Sequence, residues 1–302
     1  MHVHCLQDVG AGFLQVAKSR GLPIVLSVHD FWWICDRQFM IKVNQRYCAQ
    51  DPVKIENCRS CVENFSAART RFDYLQAQTE HVDVITYPSE FAKDLSERSG
   101  FGPGKGVVWS NGVNLPDVAF FEAQAARRAE DKRLTFGFVG GPSQIKGWPL
   151  IKRAFTGLDR DDFAVRPVDG SLDGTWWKGH DFNKLSGAWE VHPRFTQSSM
   201  DEYYAKIDVL LFMSQWKETF GLAIREALAR GIRVIQTDSG GTTEHGAIPA
   251  DQLIPIGEDH TQLSAQVIEA LDAETRETAP WPIDSFDDQA KALAKIITPL
   301  MG

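Results

Sequence analysis

Cysteine is scarce in this chain, five in 302 residues, too few for a disulfide scaffold. Long apolar runs are missing too. The longest, such as Val209 to Met213, fall far short of the ~20 residues that a bilayer-spanning helix needs. Nor is there an excess of positive charge. The 32 Lys and Arg stand against 40 Asp and Glu, a formal net charge of −8, and their even spread excludes a basic groove for nucleic acid. No low-complexity tract and no internal repeat with a period of roughly 20 to 50 residues is found, which excludes a solenoid. The start, Met1-His2-Val3-His4-Cys5, has no basic stretch leading into an apolar run, so no secretion signal is read and a reducing, cytoplasmic setting is expected.

What is present is an alternation of buried strands and helices. Apolar positions at Phe13, Leu14 and Ala17 form a helix that Gly21 and Pro23 stop before the run Ile24 to Val28. A helical stretch from Ser66 to Glu80 leads into Val82 to Thr86, and Val107 to Trp109 forms a further strand before Asn111-Gly112. Later strands are expected at Leu134 to Val139, Phe163 to Val168, Asp208 to Phe212, Ile232 to Thr237 and Leu253 to Ile256, with helices between them. A chain of this length suggests two domains of about 150 residues. The segment around 121–133, rich in Ala, Glu and Arg and without an apolar stripe, is expected to be the linker. The expected division is 1–120, the linker, a second domain over 134–284 and a C-terminal helix over 285–302.

Three places carry chemistry. The strand from Leu134 runs into Gly140-Gly141-Pro142-Ser143-Gln144-Ile145-Lys146-Gly147 and then a helix. Small residues let backbone approach an anion, amides at the helix start point toward it, and Lys146 adds charge, a combination suited to a diphosphate. An ordinary strand-to-helix turn with a surface lysine reads the same way, and the spacing matches neither the P-loop nor the dinucleotide fingerprint. In the second place, Glu218 and Glu226 flank the start of a helix that ends at Gly231. Their carboxylates can accept bonds from sugar hydroxyls while the helix amides between them hold phosphate. Two solvated glutamates on an amphipathic helix are the alternative. In the third, Cys35, Cys48, Cys58 and Cys61 leave 12, 9 and 2 intervening residues, and the last spacer suits two thiolates on one zinc. The candidates there are a structural zinc or four free thiols, and Cys5, standing apart, is read as a packed thiol. Asp159-Arg160-Asp161 has the form of a metal-binding Asp-x-Asp but follows a helix rather than a strand, and is set aside.

The motifs fall in a telling order. The Gly140 turn is followed by the Asp208 strand, by Glu218-x7-Glu226 with Phe220-Gly221-Leu222 inside it, by Ala227-Leu228-Ala229-Arg230-Gly231, and by Ser239-Gly240-Gly241 with Glu244 after it. This resembles the retaining glycosyltransferases of the GT-B fold, family 4, over most of residues 134 to 245. The resemblance implies an α/β fold of two Rossmann-like parallel-sheet domains and a nucleoside diphosphate-sugar as donor. It places the diphosphate on Gly140, Gly141 and Lys146, the donor sugar on Glu218 and the ribose on Glu226, with backbone amides of Phe220, Gly221 and Leu222 toward phosphate and sugar and Thr219 in the same donor-binding stretch. Many members have an arginine directly after the first glycine, where this chain has Gly141. Val3-His4 and Val28-His29-Asp30-Phe31-Trp32 resemble strand ends of the N-terminal domain, which makes His29 a candidate for positioning the donor; a loop histidine paired with Asp30 is the plainer reading.

The family's first domain begins with a glycine-rich turn and further βα units, and none precedes His2. The resemblance therefore implies an incomplete N-terminal domain, with a companion chain as one way to complete it. It further implies transfer to a glycan or lipid-linked acceptor of polysaccharide biosynthesis with retained configuration, no catalytic metal, and no more than peripheral membrane contact. A nucleotide-sugar epimerase on the same fold and a non-catalytic donor-binding subunit are the rival readings.

Overall fold

The computed structural model describes all residues except Asp8, Glu277 and Gly302. Runs that are apolar on both faces mark strands covered on both sides, and they pair in parallel. In the N-terminal half, β1 (His2–Val3), β2 (Val25–Ser27), β3 (Val84–Tyr87) and β4 (Gly106–Val108) form one parallel sheet in that order. The helices α1 (Gly12–Ser19), α2 (Phe65–Gln78) and α3 (Glu90–Arg98) connect them.

The C-terminal half holds β5 (Leu134–Phe138), β6 (Phe163–Pro167), β7 (Ala188–Trp189), β8 (Val209–Phe212) and β9 (Arg233–Gln236). The spatial order is β7-β6-β5-β8-β9, again all parallel. The chain builds outward from β5 in one direction, then returns to the other side of β5 to lay down β8. The strand order therefore reverses between β5 and β8, and such a switch opens a crevice at the carboxyl ends of the two strands. Helices α5 (Trp148–Thr156), α6 (Met200–Tyr204), α7 (Leu222–Ala229) and α8 (Thr261–Asp272) cover the faces. Alternation along β8 and β9 divides the core: Val209, Leu211 and Ile235 join one cluster with α5 and α8, while Leu210 and Val234 join another with α6 and α7.

The outcome matches the expected class, two parallel-sheet α/β domains. Two details differ. Leu253 to Ile256 is not a strand: a 3-10 turn at Ala250–Gln252 leads to a lone bridge between Thr237 and Ile254, because the chain touches the sheet edge at one residue only. The segment expected as a linker folds into α4 (Val118–Glu130), whose Phe120 enters the C-terminal core. Its docking face is polar, Gln124 and Arg127, which explains the missing apolar stripe. The last helix, α9 (Phe286–Ile297), reaches back to the N-terminal half. Trp109 donates its indole N–H to the Gln289 carbonyl at 2.9 Å, and the Gly112 amide donates to the Gln289 side chain at 3.0 Å.

Candidate active site

The turn after β5 and the loop after β8 line the crevice at the switch point. Gly147 caps α5 with φ +78°, and a Cβ there would lie 2.0 Å from the Met213 carbonyl oxygen, so only glycine lets this turn close onto the end of β8. That closure brings Lys146 to Glu218. The ammonium donates to Glu218 Oε1 at 2.8 Å, and the Ser214 hydroxyl donates to the same oxygen at 2.6 Å. The lysine side chain is 33% exposed and the glutamate 14%, so the charged pair is part-buried at the carboxyl ends of β5 and β8 and still reached by solvent. Gly140 and Gly141 lie in the same turn, Gly141 with φ +67° and the Trp176 ring against its α-carbon.

Gly221 caps α7 with φ +83°. The buried Arg225 braces this corner from behind: its guanidinium lies 3.5 Å from the Phe220 ring centroid and donates to the carbonyls of Phe220 and Gly221 and, at 3.1 Å, of Gly241. Burial lowers the Arg225 pKa to about 10, with Glu244 opposing. Among the described residues the amides of Phe220 and Gly221 find no backbone acceptor, and Leu222 is exposed, so the corner offers free N–H groups at a helix start.

Glu226 lies one turn into α7. Its carboxylate accepts from the Tyr204 hydroxyl at 2.8 Å, and burial raises its pKa while Tyr204 and Arg230 act in the other direction. No hydrogen bond joins Glu226 to Glu218 among the described residues; the two carboxylates stand on one helix start with different partners.

His29 reaches the crevice from the N-terminal sheet. Its carbonyl accepts from the Thr219 hydroxyl at 2.7 Å, directly beside Glu218. Its ring does not pair with Asp30, whose carboxylate instead accepts from the Trp32 amide and Gln38. The ring stacks on His4 with an interplanar angle of 6°, and Nε2 lies 2.9 Å from His4 Nδ1. Burial and then the His4 charge lower the His29 pKa, so the neutral ring is favoured.

Cys35, Cys48, Cys58 and Cys61 line one cavity of about 400 Å³. Burial pushes the Cys35 thiol up to about 11 and raises those of Cys48 and Cys58. Among the described residues no three ligating side chains already stand in holding range of one metal ion, so the expected zinc is not a preformed cluster. Cys5 is exposed rather than packed.

Ser214, Tyr204, Arg225 and Trp216 were not legible as site residues. Ser214 had a weak signal, its place at the carboxyl end of a strand, whereas the others act through contacts that spacing does not encode.

Residues 120–280 match the family model described as glycosyl transferases group 1, and residues 1–116 match Glycosyltransferase Family 4. The chain belongs to the group 1 glycosyltransferases. Spore coat protein SA of Bacillus subtilis is 24% identical to this chain over 233 residues, 69% of the chain and 56% of the relative. The chain spans about half the length of the curated relatives it matches. Among solved structures, sucrose-phosphate synthase from Thermosynechococcus elongatus superposes with a TM-score of 0.67 at 19% identity, covering 96% of this chain and 77% of that one. Anabaena HepE, solved in complex with UDP-glucose, gives 0.62 at 14% identity over 98% and 74%. At these identities the superpositions show the fold, GT-B with two Rossmann-like domains. No described helix of this family member is long and apolar enough to cross a membrane.

Proposed function

We propose that this chain transfers a sugar, in the cytoplasm and with retained anomeric configuration, from a nucleoside diphosphate-sugar to a glycan or lipid-linked acceptor. The observation that carries the reading is the Lys146–Glu218 pair, 2.8 Å apart at the carboxyl ends of β5 and β8, where the strand order reverses. As the bond between the anomeric carbon and phosphate oxygen breaks, negative charge gathers on the departing diphosphate. Lys146 turns from Glu218 to that charge, assisted by the backbone of the Gly140-Gly141 turn and the free amides at Phe220 and Gly221. Released from the lysine, Glu218 accepts hydrogen bonds from the donor sugar's hydroxyls, with Ser214 holding one oxygen in place. Glu226 holds the ribose hydroxyls, and Tyr204 sets the direction of its carboxylate. His29, neutral and stacked on His4, faces the sugar from the other domain. The reading calls for no side-chain nucleophile and no catalytic metal. That HepE was solved with UDP-glucose supports a donor of this class.

Calorimetric titration with UDP, GDP and ADP tests the donor site. One nucleotide is expected to bind, and Lys146→Ala or Glu226→Ala is expected to weaken it by about tenfold or more, the value of a charge-assisted contact. Binding that neither substitution alters would remove the proposed site.

A further inference from the structure

The segment between β2 and α2 contains a small hairpin, residues 40–48. Ile41 bridges Tyr47, the Lys42 amide donates to the Arg46 carbonyl at 2.8 Å, and the Cys48 amide donates to the Met40 carbonyl at 2.9 Å. Four residues in and beside it, Gln38, Met40, Gln45 and Ala49, have φ between 55° and 64° without being glycine, a conformation that costs energy and persists where its surroundings enforce it. The outer side of this segment meets the C-terminal domain. Arg46 pairs with Glu258 at 2.6 Å, and the Phe39 ring stands edge-on to Trp216 with centroids 5.3 Å apart, two residues before Glu218. The inner side faces the cavity of the four cysteines.

The cavity wall carries a donor and a cation beside the four cysteines, Gln50 and Lys42. The Gln50 side chain donates to Cys58 Sγ at 3.5 Å, and Lys42 adds a cation near Cys48. N–H groups around sulfur are the outer shell that orients and stabilises thiolate ligands. The Cys61 amide closes a turn on the Cys58 carbonyl at 2.8 Å, so this pair lies on one tight bend with a two-residue spacer.

We propose that Cys35, Cys48, Cys58 and Cys61 bind one structural zinc ion, and that the ion fixes the hairpin against the C-terminal domain. Four sulfurs fill a tetrahedral shell and leave no open position, so the role is structural rather than catalytic. Loading draws the four side chains together across the cavity. Each thiol releases its proton to solvent, and the resulting anionic centre is partly offset by Lys42.

The test uses the full chain, purified without chelator, and elemental analysis. About one zinc per chain is expected, the stoichiometry of a four-thiolate site. It should be lost in Cys58→Ser and Cys61→Ser and retained in Cys5→Ser. Because the cysteine variants can fail to fold, cobalt(II) exchanged into the unaltered chain supplies a second readout, a sulfur-to-cobalt charge-transfer band. A metal-free chain that gives no such band, or iron in place of zinc, would overturn the zinc site. Stripping the zinc should accelerate proteolytic cleavage within residues 38–49, and unchanged cleavage would overturn the hairpin's part. None of these readouts needs a nucleotide, so their failure and the failure of donor binding are separate results.

Discussion

At His245 the ring accepts the Ala247 amide on Nδ1 at 2.9 Å, and protonation there would break that bond. Burial first and the Arg225 cation second lower its pKa from the ordinary 6.5 to about 4. A histidine depressed in the folded state favours folding above pH 6.5 and loses that contribution as pH falls from 6.5 to 4. Its size is on the order of 2 kcal/mol, less than the full shift because the ring keeps some solvent contact. The melting temperature should therefore drop over this window, and His245→Asn, which keeps an acceptor near Nδ1 but does not titrate, should flatten the drop. An equal slope in the variant would remove His245 as the cause. Lys146, Glu218 and Glu226 were legible at this scale because a cation after a glycine turn and carboxylates around a helix start are unusual local patterns. Tyr204 was not, since an aromatic on a short buried helix looks like core until its hydroxyl is seen to meet Glu226.

Among the elements, α4 and β8 are tied by one carboxylate. Asp208, wholly buried, accepts from Arg127 at 2.9 and 2.8 Å, from Arg128 at 2.9 Å and from the Thr135 amide at 3.0 Å. Removing the charge leaves two guanidinium groups without their partner in a low-dielectric site. Asp208→Asn is expected to cost about 3 kcal/mol in urea denaturation, in the range for breaking a buried pair, and a loss under about 0.5 kcal/mol would contradict this account. The same tie explains why α4 was read as a linker. An apolar stripe is the usual sign of a packed helix, and here arginines do the docking. The strand expected at Leu253 shows the reverse error: apolar residues made a plausible strand, but edge pairing needs a neighbour in register, and only Ile254 has one.

For the whole molecule, the two sheets meet through a few specific contacts beside the crevice. Glu244 accepts the amides of Glu90 and Phe91 at 2.9 and 2.7 Å, capping α3 from the other domain, while Thr219 binds the His29 carbonyl. Trp216 leaves its own domain to join the N-terminal core cluster. Glu244→Ala removes an anion from a helix N-terminus, worth roughly 1 to 2 kcal/mol of docking. A larger radius of gyration in small-angle scattering is expected without nucleotide, and an unchanged radius would show that Trp216 and α9 hold the domains closed without Glu244.

Apolar runs, glycine stops and the order of motifs were enough for the parallel-sheet class and for most strands and helices, because these depend on neighbours within a few residues and leave a periodic trace. The meeting of Lys146 with Glu218 spans 72 residues, and that of Thr219 with His29 spans 190. Such contacts arise from the strand order and from domain docking, which bring together side chains that no local pattern relates. The gathering of four cysteines on one cavity, the polar docking of α4 and the entry of Trp216 into the neighbouring core are of the same kind. Each exists because the chain is closed into layers, and packing, rather than sequence spacing, selects the partners.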